Sequence, residues 1–111
     1  MDYRIEETLI AIENNLAQTY TLEDLTKPLN LSVSHFQHLF KREIGKSFTQ
    51  YVRDLRLQKA CELLEKTNMR IQEIRVEVGA TDDTHFLRDF KRKFGRTPTE
   101  YCKSFPINRN G

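Results

Sequence analysis

Phe40-Lys41-Arg42-Glu43-Ile44-Gly45-Lys46-Ser47-Phe48-Thr49-Gln50-Tyr51 returns fifty positions later as Phe90-Lys91-Arg92-Lys93-Phe94-Gly95-Arg96-Thr97-Pro98-Thr99-Glu100-Tyr101. The Phe-Lys-Arg start, the glycine, one threonine and the tyrosine are identical. Lys46 with Arg96, Ser47 with Thr97 and Gln50 with Glu100 are conservative pairs. The match extends upstream, where His35-Phe36 is repeated as His85-Phe86. Further back, Leu22-Glu23-Asp24-Leu25 echoes Ile71-Gln72-Glu73-Ile74, once one extra residue is allowed in the second copy. Two unrelated amphipathic helices share apolar spacing by chance. They do not share a glycine, a Lys-Arg pair and a threonine in register, so the chain is an internal duplication.

Each copy reads as a short helix, a tight turn and a second helix. In the first copy Thr21 is an N-cap, with Asp24 three residues on as a capping box with a shorter acid. The helix it opens carries Leu22, Leu25 and Leu29, with Pro28 inside it, expected to weaken or shorten its last turn. Ser32 caps the next helix, which buries Phe36, Leu39 and Phe40 and stops at Gly45. In the second copy Ile71, Ile74 and Val78 run to Gly79. Thr81 or Asp82 then caps a helix with Phe86, Phe90 and Phe94 inside, stopped by Gly95.

Ahead of the repeats, Ile5, Leu9, Ile12 and Leu16 mark an amphipathic first helix, ending at about residues 14–18. Between them, Ser47 opens a long helix whose Phe48, Tyr51, Val52, Leu55, Leu57, Ala60, Cys61, Leu63 and Leu64 cover more than one face, as expected of a helix lying between two packed bodies. Thr97-Pro98-Thr99-Glu100 is a strong start signal for a last helix. No segment alternates with period two, so the expected fold is all-α, with seven helices. Residues 1–46 form a first helix-turn-helix subdomain, 47–67 a linker helix, 68–105 a second subdomain and 106–111 a disordered tail.

Composition agrees. Over 111 residues, 38% are hydrophobic and 31% charged, with a net charge of +2, which describes a soluble, heavily charged chain. No apolar run approaches the ~20 residues of a membrane span, and no leader precedes the first helix, so the expected location is the cytoplasm. Cys61 and Cys102 lie apart, without a CxxC or Cys/His cluster, and read as reduced thiols. Charge is unevenly spread. Asp2, Glu6, Glu7, Glu13, Glu23 and Asp24 face a single Arg4 in the first 25 residues, whereas Arg88, Lys91, Arg92, Lys93 and Arg96 face only Asp89 near the end. Basic segments at equivalent places in both repeats suit a polyanion, and a protein-binding module gives no reason for them. Enzyme chemistry finds no support: no nucleophile, base and oxyanion donors converge, and the glycines fall at helix ends or in the tail. No cofactor and no metal is expected.

At Phe90-Lys91-Arg92, Phe94-Gly95, Thr97-Pro98 and Tyr101 the sequence resembles the signature of the AraC/XylS family of bacterial transcription regulators. Tyr51, Arg56-Leu57, Ala60 and Leu63-Leu64 resemble that family's linker helix, and Ile71, Ile74 and Val78-Gly79 the opening helix of its second unit. The resemblance covers residues 5–103. It departs at Thr26 and Arg75, where small residues are common, at Ala80, where an aromatic is usual, and at Cys102, where arginine is frequent. Ala80 and Arg75 predict looser packing of the second unit.

The resemblance implies sequence-specific binding of double-stranded DNA, with recognition helices at about 33–43 and 82–93 entering the major groove. The linker, roughly 29 Å long at ~1.5 Å per residue, is compatible with grooves ~34 Å apart on one side of the duplex. Because Phe36, Leu39 and Phe40 face inward, Ser34, Gln37 and His38 are the base-reading candidates of the first unit. Thr84, Leu87 and Arg88 are those of the second, with Arg88 suited to guanine and Leu87 to a thymine methyl. Ser32, Lys41, Arg42, Thr81, Lys91, Lys93 and Arg96 are phosphate candidates. His35 and His85 are expected to be partly buried with one hydrogen bond each. The resemblance also implies activation through contact with RNA polymerase, and leaves two arrangements open: a complete stand-alone regulator, or, the favoured one, the C-terminal DNA-binding module of a larger sensor or response regulator. Two reading heads on one chain predict a monomer in isolation, with dimerisation left to a sensor domain.

Overall fold

The computed structural model describes residues 1–16, 21–80 and 83–103. Among these are seven helices and no strand: α1 (Tyr3–Asn14), α2 (Leu22–Thr26), α3 (Val33–Ile44), α4 (Phe48–Lys66), α5 (Ile71–Glu77), α6 (Asp83–Phe94) and α7 (Pro98–Lys103). The expected tail and the expected cap at Thr81 or Asp82 lie outside the described residues. The chain forms two compact units, Met1–Arg53 and Asp54–Gly111, dividing within α4.

In the first unit Ile5 of α1 packs with Phe36, Leu39 and Phe40 of α3, and Leu9, Leu22, Leu29, Leu31, Ile44, Phe48 and Tyr51 close around them. The stripe on α1 is rotated from the expected one. Thr8 is buried while Leu9 is only partly so. Burial of this hydroxyl is tolerated because it donates to the Arg4 carbonyl at 2.9 Å. Pro28 is a second difference: it lies beyond the helix. Without an N–H it cannot continue the ladder to Asp24, and α2 ends at Thr26. Leu29 and Leu31 both donate to the Thr26 carbonyl, at 3.1 and 3.3 Å, and Asn30 takes a positive φ of 59° to turn the chain into α3. Thr26, where a small residue is common, is buried and donates to the Glu23 carbonyl at 3.2 Å.

In the second unit the buried residues of α4 are Leu57, Ala60, Cys61 and Leu64, a single stripe at helical spacing. Leu55 and Leu63 are half-buried, as is Val52 at the edge of the first unit. Ile74, Val78, Phe86, Phe90 and Pro98 complete the buried set. Cys61 and Cys102 are both free thiols. The Cys61 sulfur lies 3.0 Å from the Tyr101 hydroxyl, which donates to the Glu65 carboxylate, so one polar chain ties α4 to α7. Burial, above all, pushes the Cys61 thiol up, and the bonds to Cys61 and then Glu65 push the Tyr101 phenol well above its usual range. Both groups stay protonated. Arg75 is accommodated by a bond from its guanidinium to the Ala80 carbonyl at 3.3 Å.

The duplication survives as geometry. Phe36 and Phe40 are 5.8 Å apart, and Phe86 and Phe90 6.0 Å apart. Phe40 meets Tyr51 edge-on at 5.5 Å, and Phe90 meets Tyr101 edge-on at 5.7 Å. Each set has one further ring from a different place. The first takes Phe48 from the start of α4, and the second takes Phe94 from the end of α6.

The helix starts follow the expected caps. Thr21, Ser32 and Ser47 accept from the N–H groups of Asp24, His35 and Gln50 at 3.1, 3.1 and 3.2 Å. Asp2 caps α1, accepting from the Arg4 N–H at 2.9 Å and pairing with its guanidinium. At α7 the box is reciprocal: Glu100 donates its N–H to the Thr97 hydroxyl at 3.2 Å, and its carboxylate accepts from the Thr97 N–H at 3.0 Å. The helices α3 and α6 end alike, with Gly45 and Gly95 at φ of 91° and 79°, donating to the Lys41 and Lys91 carbonyls at 2.8 Å.

Two outcomes follow. A Cβ at Gly95 would meet nothing within 4 Å, so the cost of Gly95→Ala is that of the left-handed backbone alone, about 1–2 kcal/mol, readable as a lowered urea midpoint. Acid should weaken the α7 cap. The Thr97 N–H holds the Glu100 carboxyl below its ordinary 4.5, so its contribution is complete above that pH and fades as pH falls through the lowered value. Glu100→Gln should flatten that part of a stability-against-pH curve.

Candidate nucleic-acid interface

Helical spacing turns one face of α3 inward, and the opposite face must then meet solvent. Ser34, Gln37, His38, Lys41 and Arg42 are all exposed, and so is the cap residue Ser32. Lys41 and Arg42 stand in the last turn of α3, where cations suit the negative end of the helix dipole. Ser34, Gln37, His38 and Lys41 thus share the outer side of α3, with Ser32 exposed at its start. Arg42 lies on the flank toward the start of α1. The Asp2 carboxyl is lowered to about 2, chiefly by the Arg4 side chain and least by the charge of Arg42.

The outer face of α3 continues into the start of α4. Gln37, His38 and Lys41 share an open cavity of about 230 Å³ with Ser47, Phe48 and Thr49. The sequence reading did not include those last three residues in the interface. The available signal was Thr49 itself, identical in the second copy.

In α6, Phe86 and Phe90 are buried and Phe94 half-buried, while Thr84, Arg88, Lys91 and Lys93 are exposed and Leu87 is 38% exposed; Arg96, in the turn that follows, is exposed too. Lys91, Arg92 and Lys93 occupy the last turn. Arg88 is not isolated. Its Nε lies 3.6 Å from the Asp89 carboxylate, whose side chain is 12% exposed. Lys91 and Arg96 both help lower the Glu100 carboxyl, after the larger effect of its bonds with Thr97. Thr81 lies outside the described residues.

His35 and His85 correct the sequence reading. Both are exposed. Each immediately precedes the phenylalanine that turns into the core, and one residue along a helix is a rotation of about 100°. Neither ring is therefore drawn inside.

The fold and this doubled face define a helix-turn-helix module. The sequence matches the family described as "Helix-turn-helix domain" over residues 25–104. It is 35% identical over 94 residues to the uncharacterized HTH-type transcriptional regulator YpdC of Escherichia coli K12, covering 85% of this chain and 33% of that protein. It is 30% identical over 102 residues to the HTH-type transcriptional activator RhaR of Mannheimia succiniciproducens, covering 92% of this chain and 37% of that one. The C-terminal domain of the two-component response regulator yesN from Fusobacterium nucleatum superposes with a TM-score of 0.78 at 32% identity, over 87% of this chain and 95% of that one. The chain belongs to the AraC/XylS family of transcription regulators. It spans about a third of the length of the curated relatives named here.

Proposed function

We propose that this chain is the DNA-binding module of a larger bacterial transcription regulator, reading double-stranded DNA in two adjacent major grooves, one for each unit. The observation that carries this reading is the doubled face. Two helices with the same buried phenylalanines and the same glycine stop expose polar side chains along their length and cations in their last turns. The major groove admits a helix, and base edges there are distinguished by hydrogen bonding.

In the first unit Ser34, Gln37 and His38 read bases, with Gln37 matched to the paired donor and acceptor of adenine. In the second, Thr84, Leu87 and Arg88 do so. The carboxylate of Asp89 engages Nε of Arg88, which leaves the two terminal nitrogens for the O6 and N7 acceptors of guanine. Ser32, Lys41, Arg42, Thr81, Lys91, Lys93 and Arg96 serve the phosphates, setting register without reading sequence. The regulator acts in the cytoplasm. The module alone is a monomer, and the full-length protein works as an activator through contact with RNA polymerase. A relative named as an activator supports activation.

Selection from a random pool of ~25-base-pair duplexes, with affinity followed against salt, tests the reading. The expected result is two short enriched blocks about one helical turn apart and a steep fall of affinity with salt. Arg88→Ala should cost about 1–3 kcal/mol and relax preference in one block only. No enrichment, with weak binding indifferent to salt, would overturn it.

A further inference from the structure

A residue kept identical in both copies serves a need common to both units. For most of them that need is visible. Phe36 and Phe86, and Phe40 and Phe90, are buried. Gly45 and Gly95 hold left-handed backbone, and Tyr51 and Tyr101 join the ring clusters. Thr49 and Thr99 have no such explanation. Both are exposed, and the caps of their helices are the hydroxyls of Ser47 and Thr97, not theirs.

The outward positions offered above as base readers differ between the copies: Ser34 against Thr84, Gln37 against Leu87 and His38 against Arg88. Lys41 and Lys91 do not differ. Two units that read different bases still share the sugar-phosphate backbone, and contacts to it carry no sequence information. Identity at exposed positions is what that shared task requires.

Geometry places the first of these threonines beside its lysine. In the first unit Thr49 and Lys41 line the same open cavity of about 230 Å³. In the second, the charges of Lys91 and Arg96 are felt at Glu100, the residue after Thr99, in the first turn of α7. The second unit repeats the ring packing of the first, with Phe90 to Tyr101 at 5.7 Å against Phe40 to Tyr51 at 5.5 Å, so the start of α7 is set against α6 as the start of α4 is against α3.

We propose that Thr49 with Lys41, and Thr99 with Lys91, each hold a DNA phosphate, so that both units grip the backbone from the helix that follows the recognition helix. This rests on the DNA-binding reading above, and its test separates the two. Affinity of the whole chain would be measured by fluorescence anisotropy for the selected duplex and a scrambled one, using wild type, Thr49→Val, Thr99→Val and Thr49→Ser, with helicity checked by circular dichroism. Thr49→Val and Thr99→Val should each weaken both duplexes by the same factor, about tenfold for a hydroxyl lost from a charged acceptor. Thr49→Ser should restore the wild-type value. Lys41→Ala combined with Thr49→Val should lose less than the product of the two separate effects. Wild-type affinity in both valine variants, with Arg88→Ala still impaired, would overturn the phosphate contact and leave the DNA reading standing. A loss confined to the selected duplex would also overturn it, by making the threonine a base reader. A wild-type chain that binds neither duplex would sink the underlying reading instead.

Discussion

Each unit depends on an edge-to-face contact between a phenylalanine of its second helix and a tyrosine of the helix that follows. Phe40 meets Tyr51 at 5.5 Å, and Phe90 meets Tyr101 at 5.7 Å. Such a pair adds roughly 0.5–1.5 kcal/mol to what burial supplies, and burying the phenylalanine itself contributes about 1.5–3 kcal/mol. The geometric consequence matters more than the sum. Once Phe36 and Phe40 must face inward, rotation about α3 is decided, and Ser34, Gln37, His38 and Lys41 have nowhere to go but out. Phe86 and Phe90 decide α6 in the same way. The core therefore aims the surface, and a change of ring packing would turn the face presented to a ligand.

Much of this was legible because it rests on local rules. Caps at Thr21, Ser32, Ser47 and Thr97 depend on a hydroxyl and a nearby N–H a few residues away, and glycine at 45 and 95 on left-handed backbone that other residues resist. Apolar spacing showed which side of α3 and α6 is buried, so every described base-reading candidate is on an exposed face. What was missed depends on tertiary contact or on competition between local choices. The burial of Thr8 rests on a bond to the Arg4 carbonyl that hydropathy does not encode. Tyr101 lies forty residues from Cys61, and no spacing rule brings these two and Glu65 together. The extent of α2 was a matter of weighing Leu29 against Pro28, and the missing N–H prevailed. The histidines, expected to be partly buried, are exposed in both copies. Identity can equally mark a shared surface.

The duplication also organises the chemistry. The buried rings Phe36 and Phe40 return as Phe86 and Phe90, while the third ring comes from Phe48 in one unit and Phe94 in the other, and the buried Leu39 is replaced by Asp89. Positions along the middle of the outward faces diverge, so the units present different hydrogen-bonding groups from equivalent scaffolds. Gln37 offers a donor and an acceptor where Leu87 offers only a hydrocarbon surface, and His38 stands where the second unit has Arg88 with Asp89 at its Nε. An asymmetric target, with two dissimilar short blocks, is what such a pair of faces fits. The acidic residues of α1, Glu6, Glu7 and Glu13, are exposed on a different helix from these cations, which keeps the net charge near neutral without placing carboxylates on the outer face of α3.

The central claim is that both units dock on one duplex. A hydroxyl-radical footprint of the whole chain on its selected duplex tests it most directly. Two protected patches about one helical turn apart, with the patch of the second unit lost in Arg88→Ala while that of the first persists, are the predicted result. A single patch that disappears as a whole in Arg88→Ala would contradict the account, because only one of the two faces would then be reading DNA.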